Sequence, residues 1–162
     1  MNRRHILILA PILILALGGY FWYSQKPEQK INRIVDTLIE NVEHRKISLR
    51  TKDTVEQAIK PIFADKVAIS GSSPVPNSTH TREEICEQFH TFHNFTTVIE
   101  VTEISRELQI IGKEAQVILE AKIFGAAGKQ HQGTSNWALV IDLAISPETN
   151  TWQITAIDAK KQ

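Results

Sequence analysis

The stretches EAQVILEAKIF (residues 114–124) and TSNWALVIDLAIS (residues 134–146) decide the fold. In both, apolar side chains occupy the odd positions from 115 to 123 and from 137 to 145. A period of two is typical of a β-strand with one face on a core. Strand-like runs at 96–106 and 151–158 precede and follow them. Turn-forming residues separate the runs: Gly112-Lys113, Gly125 to Gly133, and Pro147 to Asn150. The second half of the chain therefore predicts a four-stranded antiparallel meander.

An apolar stripe in the first half predicts a helix that covers this sheet. We expect it over residues 27–45, because apolar side chains recur there at helical spacing. They are Ile31, Ile34, Val35, Leu38, Ile39 and Val42. Asp53 or Thr54 caps a shorter predicted helix that ends at Pro61. A brief strand is expected at residues 66–70.

Thr81-Arg82-Glu83-Glu84 has the pattern of a capping box and predicts the start of a third helix. This helix is expected to reach Phe92 and to bury Ile85, Phe89 and Phe92. The segment 71–79 has the composition of a loop. Helices that precede an antiparallel meander indicate an α+β fold, with three helices packed on a mainly antiparallel sheet.

Residues 6–23 form an uncharged run rich in Ile, Leu and Ala. At about 1.5 Å per residue they reach roughly 27 Å, close to the thickness of a hydrocarbon core. Arg3 and Arg4 precede the run and an aromatic block, residues 20–23, ends it, so the N-terminus is expected in the cytoplasm. We predict a single-pass anchor at residues 1–26. We place a domain of residues 27–162 on the periplasmic or extracellular side of the cytoplasmic membrane.

A cleaved signal peptide is the alternative for the same segment. Ala16-Leu17-Gly18 offers small residues in an A-x-A-like arrangement after a short apolar core. Cleavage after Gly18 would leave a Tyr-Phe-Trp-Tyr start exposed on a soluble protein, which is an unfavourable surface. The anchor is therefore the preferred interpretation.

Charge and cysteine content argue against a nucleic-acid-binding protein and against a fold held together by internal disulfides. With Arg3 and Arg4 set aside from the 18 basic residues, 16 remain against 18 acidic residues, so no basic surface for nucleic acid is expected. Cys86 is the single cysteine, so the fold has no intramolecular disulfide and depends on its core. No sequence motif calls for a cofactor, and we expect none.

The order of elements over residues 27–160 resembles the nuclear transport factor two superfamily, also called SnoaL-like or ketosteroid-isomerase-like. Three local segments are similar: Val67-Ala68-Ile69-Ser70-Gly71, Thr81-Arg82-Glu83-Glu84-Ile85 and Trp152-Gln153-Ile154-Thr155-Ala156-Ile157. The resemblance implies a cone-shaped domain whose curved sheet wraps round the helices and leaves a pocket. Members of that superfamily include isomerases, dehydratases and cyclases as well as binding and assembly domains. Its membrane-tethered members include periplasmic subunits of type IV secretion machines.

His93 and Asp142 are the candidate catalytic residues. His93 falls on the apolar side of the third helix, near Phe89, where an imidazole can act as a pocket base or as a bonded core residue. Asp142 interrupts the apolar run of residues 137–145, where a carboxylate has a raised pKa or pairs with a nearby donor. The superfamily resemblance also implies a tyrosine that stabilises an oxyanion. Both tyrosines, Tyr20 and Tyr23, lie in the predicted anchor, which argues against such an isomerase.

Cys86, His90 and His93 raise a second possibility, because their spacing of i, i+4 and i+7 aligns three potential zinc or copper ligands on one helix face. A fourth ligand such as His80 or Asp142 would have to come from elsewhere, and no CxxC or HExxH motif is present. The alternative is a buried thiol and two histidines that share a helix. We therefore predict no metal site.

The leading functional hypothesis is a membrane-tethered extracytoplasmic domain that binds a small apolar ligand or a protein partner without catalysis. Phe89, Phe92, His93 and Trp137 are the predicted ligand-binding residues. A homodimer or a protein partner is expected on the sheet face, because residues 137–145 are apolar on both sides of their strand. Two alternatives are an enzyme of the isomerase, cyclase or hydrolase type that uses His93 and Asp142, and a periplasmic assembly subunit.

Overall fold

The structure is a computed structural model that describes residues 26–45, 52–72, 77–127 and 131–162. The predicted anchor at residues 6–23 lies outside these ranges. Of the helices within them, none combines the length and the apolar character that a membrane span needs. The helices are α1 (Pro27–Val42), α2 (Lys52–Ile59), which a 3-10 turn (Lys60–Ile62) extends, and α3 (Arg82–Phe95).

Within these ranges, seven strands form one sheet in the order β1-β4-β5-β6-β7-β2-β3. They are β1 (His44–Arg45), β2 (Phe63–Gly71), β3 (Ser78–Thr81), β4 (Val98–Ile111), β5 (Glu114–Ala127), β6 (His131–Ile145) and β7 (Trp152–Lys161). Strands β4 to β7 form the predicted antiparallel meander, and among the described strands only the β2–β7 pair is parallel. The α+β class and the mainly antiparallel sheet are thus confirmed.

One face of the sheet, here called the inner face, packs against the helices. Val117 on β5, Ile141 on β6 and Ile154 on β7 are fully buried there, in one cluster with Ile31 and Val35 of α1. Complete burial of each such side chain stabilises the fold by roughly 1.5–3 kcal/mol. The odd-numbered positions that predicted the strands are therefore the ones that face the core.

Irregular pairing interrupts the β2–β7, β4–β5 and β6–β7 ladders. The β4–β5 register shifts between Glu103 and Ser105, which leaves Ile104 without a partner on β5. The β6–β7 register shifts at Asp142 and Leu143, which leaves Thr155 of β7 unpaired. Because a bulge bends its strand and increases the local twist, these sites help the long strands to curve round the helices.

Arg106 links β4 to α1. Its guanidinium forms an ion pair with Asp36 at 2.8 Å, donates to the Asn32 side-chain oxygen at 3.3 Å, and also pairs with Glu103. Burial lowers the pKa of Arg106, but the hydrogen bonds to Glu103 and Asp36 outweigh burial and leave that pKa above its ordinary value. The charged side chain therefore stays in place between helix and strand.

We name the two ends of the sheet after the glycines that lie there, Gly112 and Gly125. At the Gly112 end, β4 turns into β5 at Gly112, whose φ is 63°, and the Ile145 amide bonds to the Lys113 carbonyl at 3.0 Å. At the Gly125 end, β4 begins and β5 ends. The C-terminus of α1 lies at this second end, because Glu43 accepts a hydrogen bond from the Val101 amide at 3.1 Å.

Several predicted boundaries are wrong. The first helix ends at Val42 rather than residue 45, because residues 44 and 45 pair with β4 as β1. Strand β3 begins within the predicted loop 71–79 and continues to Thr81, paired with β2. The third helix continues past Phe92 to Phe95, and the segment Gly125 to Gly133 is mostly strand, since Gly125 and Gly133 are ladder partners.

The predicted capping box is present at the start of α3. The Thr81 hydroxyl accepts from the Glu84 amide at 3.2 Å, and the Glu84 carboxylate accepts from the Thr81 amide at 2.8 Å. Each bond satisfies a backbone donor at a helix end that has no partner inside the helix.

Replacement Thr81→Ala is expected to lower the free energy of unfolding by about 1 kcal/mol, because the Glu84 amide loses its acceptor. Urea denaturation followed by circular dichroism measures the change. Thr81→Ser retains the hydroxyl and is the matched control. An equal loss of stability in both variants would show that the cap is not the cause.

Candidate functional site

Three of the four predicted ligand-binding residues form a cluster on α3. The His93 ring lies 6.3 Å from the Phe89 ring in an edge-on arrangement and 6.3 Å from the Phe92 ring. Positions 89, 92 and 93 are three and four residues apart, so they share one side of the helix. Phe89 also contacts Phe63 of the core, with ring centroids 6.4 Å apart. The cluster therefore extends the core towards the C-terminal end of α3.

Exposure changes along this cluster. Phe89 is half-buried and packs against the core, whereas Phe92 is 47% exposed, so the predicted burial of Phe92 is wrong. His93 lies between them, half-buried, with its Nε2 atom shielded from solvent. The cluster thus presents two aromatic rings and one imidazole at the edge of the core.

Trp137, the fourth predicted ligand-binding residue, lies on β6. It pairs in register with Ala121, which is 1% exposed and faces the core, so Trp137 is on the inner face as well. Its indole nitrogen donates to the Ser135 hydroxyl at 2.7 Å. That bond satisfies the polar atom of the indole and leaves the ring as an apolar surface.

Gly125 and Gly133 face each other across β5 and β6 and leave space on the inner face. Gly125 also pairs with Ile99, which is 2% exposed and belongs to the inner face. A Cβ atom added at either glycine would meet no atom within 4 Å. Neither residue has a positive φ, so the backbone does not require glycine at these positions. At these two positions the inner face therefore has open space, whereas its other positions carry side chains.

The end of α3 is tied to the same part of the sheet. Thr97, two residues beyond the helix, donates to the Ala126 carbonyl from its amide at 2.7 Å and from its hydroxyl at 2.8 Å. Ala126 is the neighbour of Gly125. The aromatic cluster and the glycine pair therefore both belong to the Gly125 end, and together they form the candidate ligand site.

Gly125 and Gly133 were not predicted as site residues, because the segment from one to the other was interpreted as a turn. A usable signal was present: residues 125 and 133 are odd-numbered, like the core-facing positions of both strands, and they lie at equal distance from Lys129. Continuation of the alternation through the hairpin would have placed both on the inner face.

The structure does not bring together Asp142 and His93, the predicted catalytic pair. Asp142 lies between Ile141 and Leu143, which are buried on the inner face, so its side chain points to the opposite, outer face. There its carboxylate accepts from the Gln116 side-chain amide at 2.9 Å. The sheet separates this carboxylate from the His93 ring.

Asp142 belongs instead to an open groove of about 440 Å³ on the outer face at the Gly112 end. The side chains of Gln109, Glu114, Gln116 and Thr155 also line this groove. Its lining combines these polar side chains, two of them carboxylates, with apolar residues that include Ile111. It does not include the residues of the candidate ligand site.

The predicted metal alternative has no geometric support in the described ranges. No three histidine, cysteine, aspartate or glutamate residues among them are grouped so that they can hold a metal ion. Cys86 is buried in the core cluster, and the His90 ring pairs with the Asn94 side chain at 3.3 Å. Shared helix spacing alone does not bring these side chains together.

Comparison with known proteins identifies the architecture. A dehydrochlorinase for hexachlorocyclohexane from Novosphingobium barchaimii has a TM-score of 0.65 and 8% identity, over 83% of this chain and 86% of that chain. A Cytophaga hutchinsonii protein described as NTF2-like, that is nuclear transport factor two-like, has a TM-score of 0.63 and 12% identity, over 85% and 100%. The chain has the NTF2-like fold.

A third structure with the NTF2-like fold extends this comparison. It is a Streptomyces avermitilis protein proposed to be a dehydratase, with a TM-score of 0.61 and 12% identity over 83% of this chain and 94% of that chain. No protein-family model and no curated protein sequence matches the chain. At these identities the likeness concerns the fold, and a shared fold does not carry a shared activity.

Burial raises the pKa of the Cys86 thiol above its ordinary value of 9.0. The folded protein should therefore react slowly with a thiol reagent at pH 8, and urea should expose the thiol. Because the folded pKa is the higher one, the stabilising contribution is complete below pH 9 and decreases as pH rises towards the folded pKa. Comparison of wild type with Cys86→Ala in urea titrations between pH 7 and pH 10.5 isolates this effect. Rapid labelling without urea would contradict it.

Proposed function

We propose that residues 27–162 form a non-catalytic domain that binds a small apolar ligand at the Gly125 end. The proposal further holds that residues 6–23 tether this domain to the outer side of the cytoplasmic membrane. The observation that carries the ligand proposal is the unfilled inner face at Gly125 and Gly133, next to the aromatic end of α3. Ligand sites are usually concave, mostly apolar and supplied with few polar groups.

The aromatic side chains on this side of the sheet indicate the chemistry of the ligand. Phe89 and Phe92 offer ring surfaces, and Trp137 adds an indole whose polar atom is already bonded to Ser135. His93 supplies a polar group that can donate or accept a hydrogen bond. A small apolar or aromatic molecule with one polar substituent suits this set.

Binding is favoured over catalysis because the proposed base and acid are separated by the sheet. Asp142 faces the outer groove, bonded to Gln116, while His93 lies among phenylalanines on the helix side. General acid–base catalysis needs its groups within reach of one substrate. The existence of enzymes with the NTF2-like fold is consistent with a pocket in this architecture. It does not bring His93 and Asp142 of this chain together.

The ligand proposal is tested with the neutral fluorescent probe N-phenyl-1-naphthylamine. Gly125→Leu fills the space on the inner face and is expected to weaken probe binding by about tenfold or more, equivalent to roughly 1.4 kcal/mol or more. Stability should be preserved, because the new Cβ meets no neighbour within 4 Å. Fluorescence titration gives the Kd, and urea denaturation checks the fold.

The adjacent variant Ala126→Leu is the matched control, because residue 126 faces the outer side of the same strand. It should leave the Kd of the probe unchanged. Equal binding by wild type, Gly125→Leu and Ala126→Leu would place the probe elsewhere and contradict the site.

The outer face of the sheet supports a second proposal, a homodimer or a protein partner. In the described residues no helix packs on this face, and Ile118 and Val140 pair directly across β5 and β6 there as half-buried side chains. Ala138 and Ala156 add small apolar neighbours on the adjacent positions. A membrane-tethered assembly subunit would use the same surface.

Light scattering of the purified protein is expected to give a dimer. Val140→Glu should convert it to a monomer, because a buried carboxylate without a partner is costly at an interface. Thr102→Glu, which adds the same charge at an exposed position of β4, should leave the dimer intact. A monomeric wild type that captures no partner on crosslinking would contradict the proposal.

A further inference from the structure

Helix α1 runs antiparallel to β4, and this direction locates its N-terminus. Glu43 near the end of α1 bonds to Val101, whereas Asp36, earlier in the helix, pairs with Arg106. Earlier residues of α1 therefore lie beside later residues of β4. The start of the helix lies towards the Gly112 end.

The distances along the two elements agree. From Asp36 back to Pro27 the helix rises about 14 Å, at about 1.5 Å per residue. From Arg106 forward to Ile111 the strand extends about 17 Å, at about 3.3 Å per residue. The first residue of α1 and the β4–β5 turn thus lie at nearly the same level of the molecule.

The chain between the apolar run and α1 is short. Residues 24–26 alone separate Tyr23 from Pro27, and four residue steps span at most about 14 Å when fully extended. If residues 6–23 cross the bilayer, the start of α1 cannot move farther than this from the membrane surface. The Gly112 end is then kept beside the lipid.

The tip of the β4–β5 turn has side chains suited to that position. Ile111 is 78% exposed and is followed by Gly112 and by the exposed Lys113. An apolar side chain can enter the boundary between headgroups and acyl chains, while a lysine next to it keeps its ammonium among the phosphates. Lys26 and Lys113 are offset by Glu28 and Glu114, so the contact does not depend on a net basic charge.

We infer that the Gly112 end is a lipid-contacting surface, on which Ile111 touches the bilayer and the ligand site at the Gly125 end faces away from it. Strand β4 has 14 residues, so the two ends are separated by roughly 45 Å along the strand. This inference rests on the proposed tether. It adds an orientation and a contact surface to the proposed function.

Site-specific fluorescence in vesicles tests the orientation. The full-length chain is reconstituted in phosphatidylcholine vesicles and labelled with the environment-sensitive dye NBD at a single introduced cysteine, in a Cys86→Ala background. The labelled positions are Ile111→Cys, Lys113→Cys and, at the opposite end, Phe95→Cys, which replaces a side chain that is 74% exposed. If Cys86→Ala reduces folding, the native background serves, because Cys86 is buried.

Spin-labelled lipid should quench most of the emission at position 111 and part of it at position 113, and leave position 95 unchanged. The quenching should persist at 0.5 M salt, where charge attraction is screened with a Debye length of about 4 Å. Quenching at position 95, or at none of the three in vesicle-bound protein, overturns the orientation and leaves the tether standing. Protein that fails to sediment with the vesicles overturns the tether as well.

Discussion

Burial of a single face of the sheet against α1 and α3 is the constraint on which the rest of the structure depends. Strands β5, β6 and β7 each direct alternate residues into one core cluster with the helices. Because the helices are short and the strands are long, the sheet has to bend to keep that face covered. The bulges at Ile104 and Thr155 allow the bend, and Arg106 holds β4 against α1.

The same constraint divides the molecule into surfaces with different uses. On the inner face, side chains fill the core from Ala115 to Ala121, and the row then reaches Gly125, where there is none. Space for a ligand appears where the core packing ends. On the outer face the alternate residues include Asp142 and Val140, which are removed from that space and can contact solvent or another protein.

The alternation of β4 to β7 and the capping box of α3 were predictable because both are local properties of the chain. The short strands β1 and β3 were not, since each exists only by pairing with a distant or neighbouring strand. Phe89, Phe92 and His93 were predicted together because helix spacing alone places them on one side. The side of the sheet on which Asp142 lies could not be predicted, because its strand is apolar on both faces and alternation could not show which face was the core.

The sequence by itself determined the α+β class, the meander, the helix cap, the aromatic face of α3 and the apolar run at residues 6–23, since all of these follow from patterns over a few neighbouring residues. Tertiary structure alone decided which strand face meets the helices, and with it the separation of His93 from Asp142. It also decided that Gly125 and Gly133 lie opposite each other at the edge of the core. The physical reason is that a β-strand presents its two faces equally, and only packing against another element makes one of them the interior.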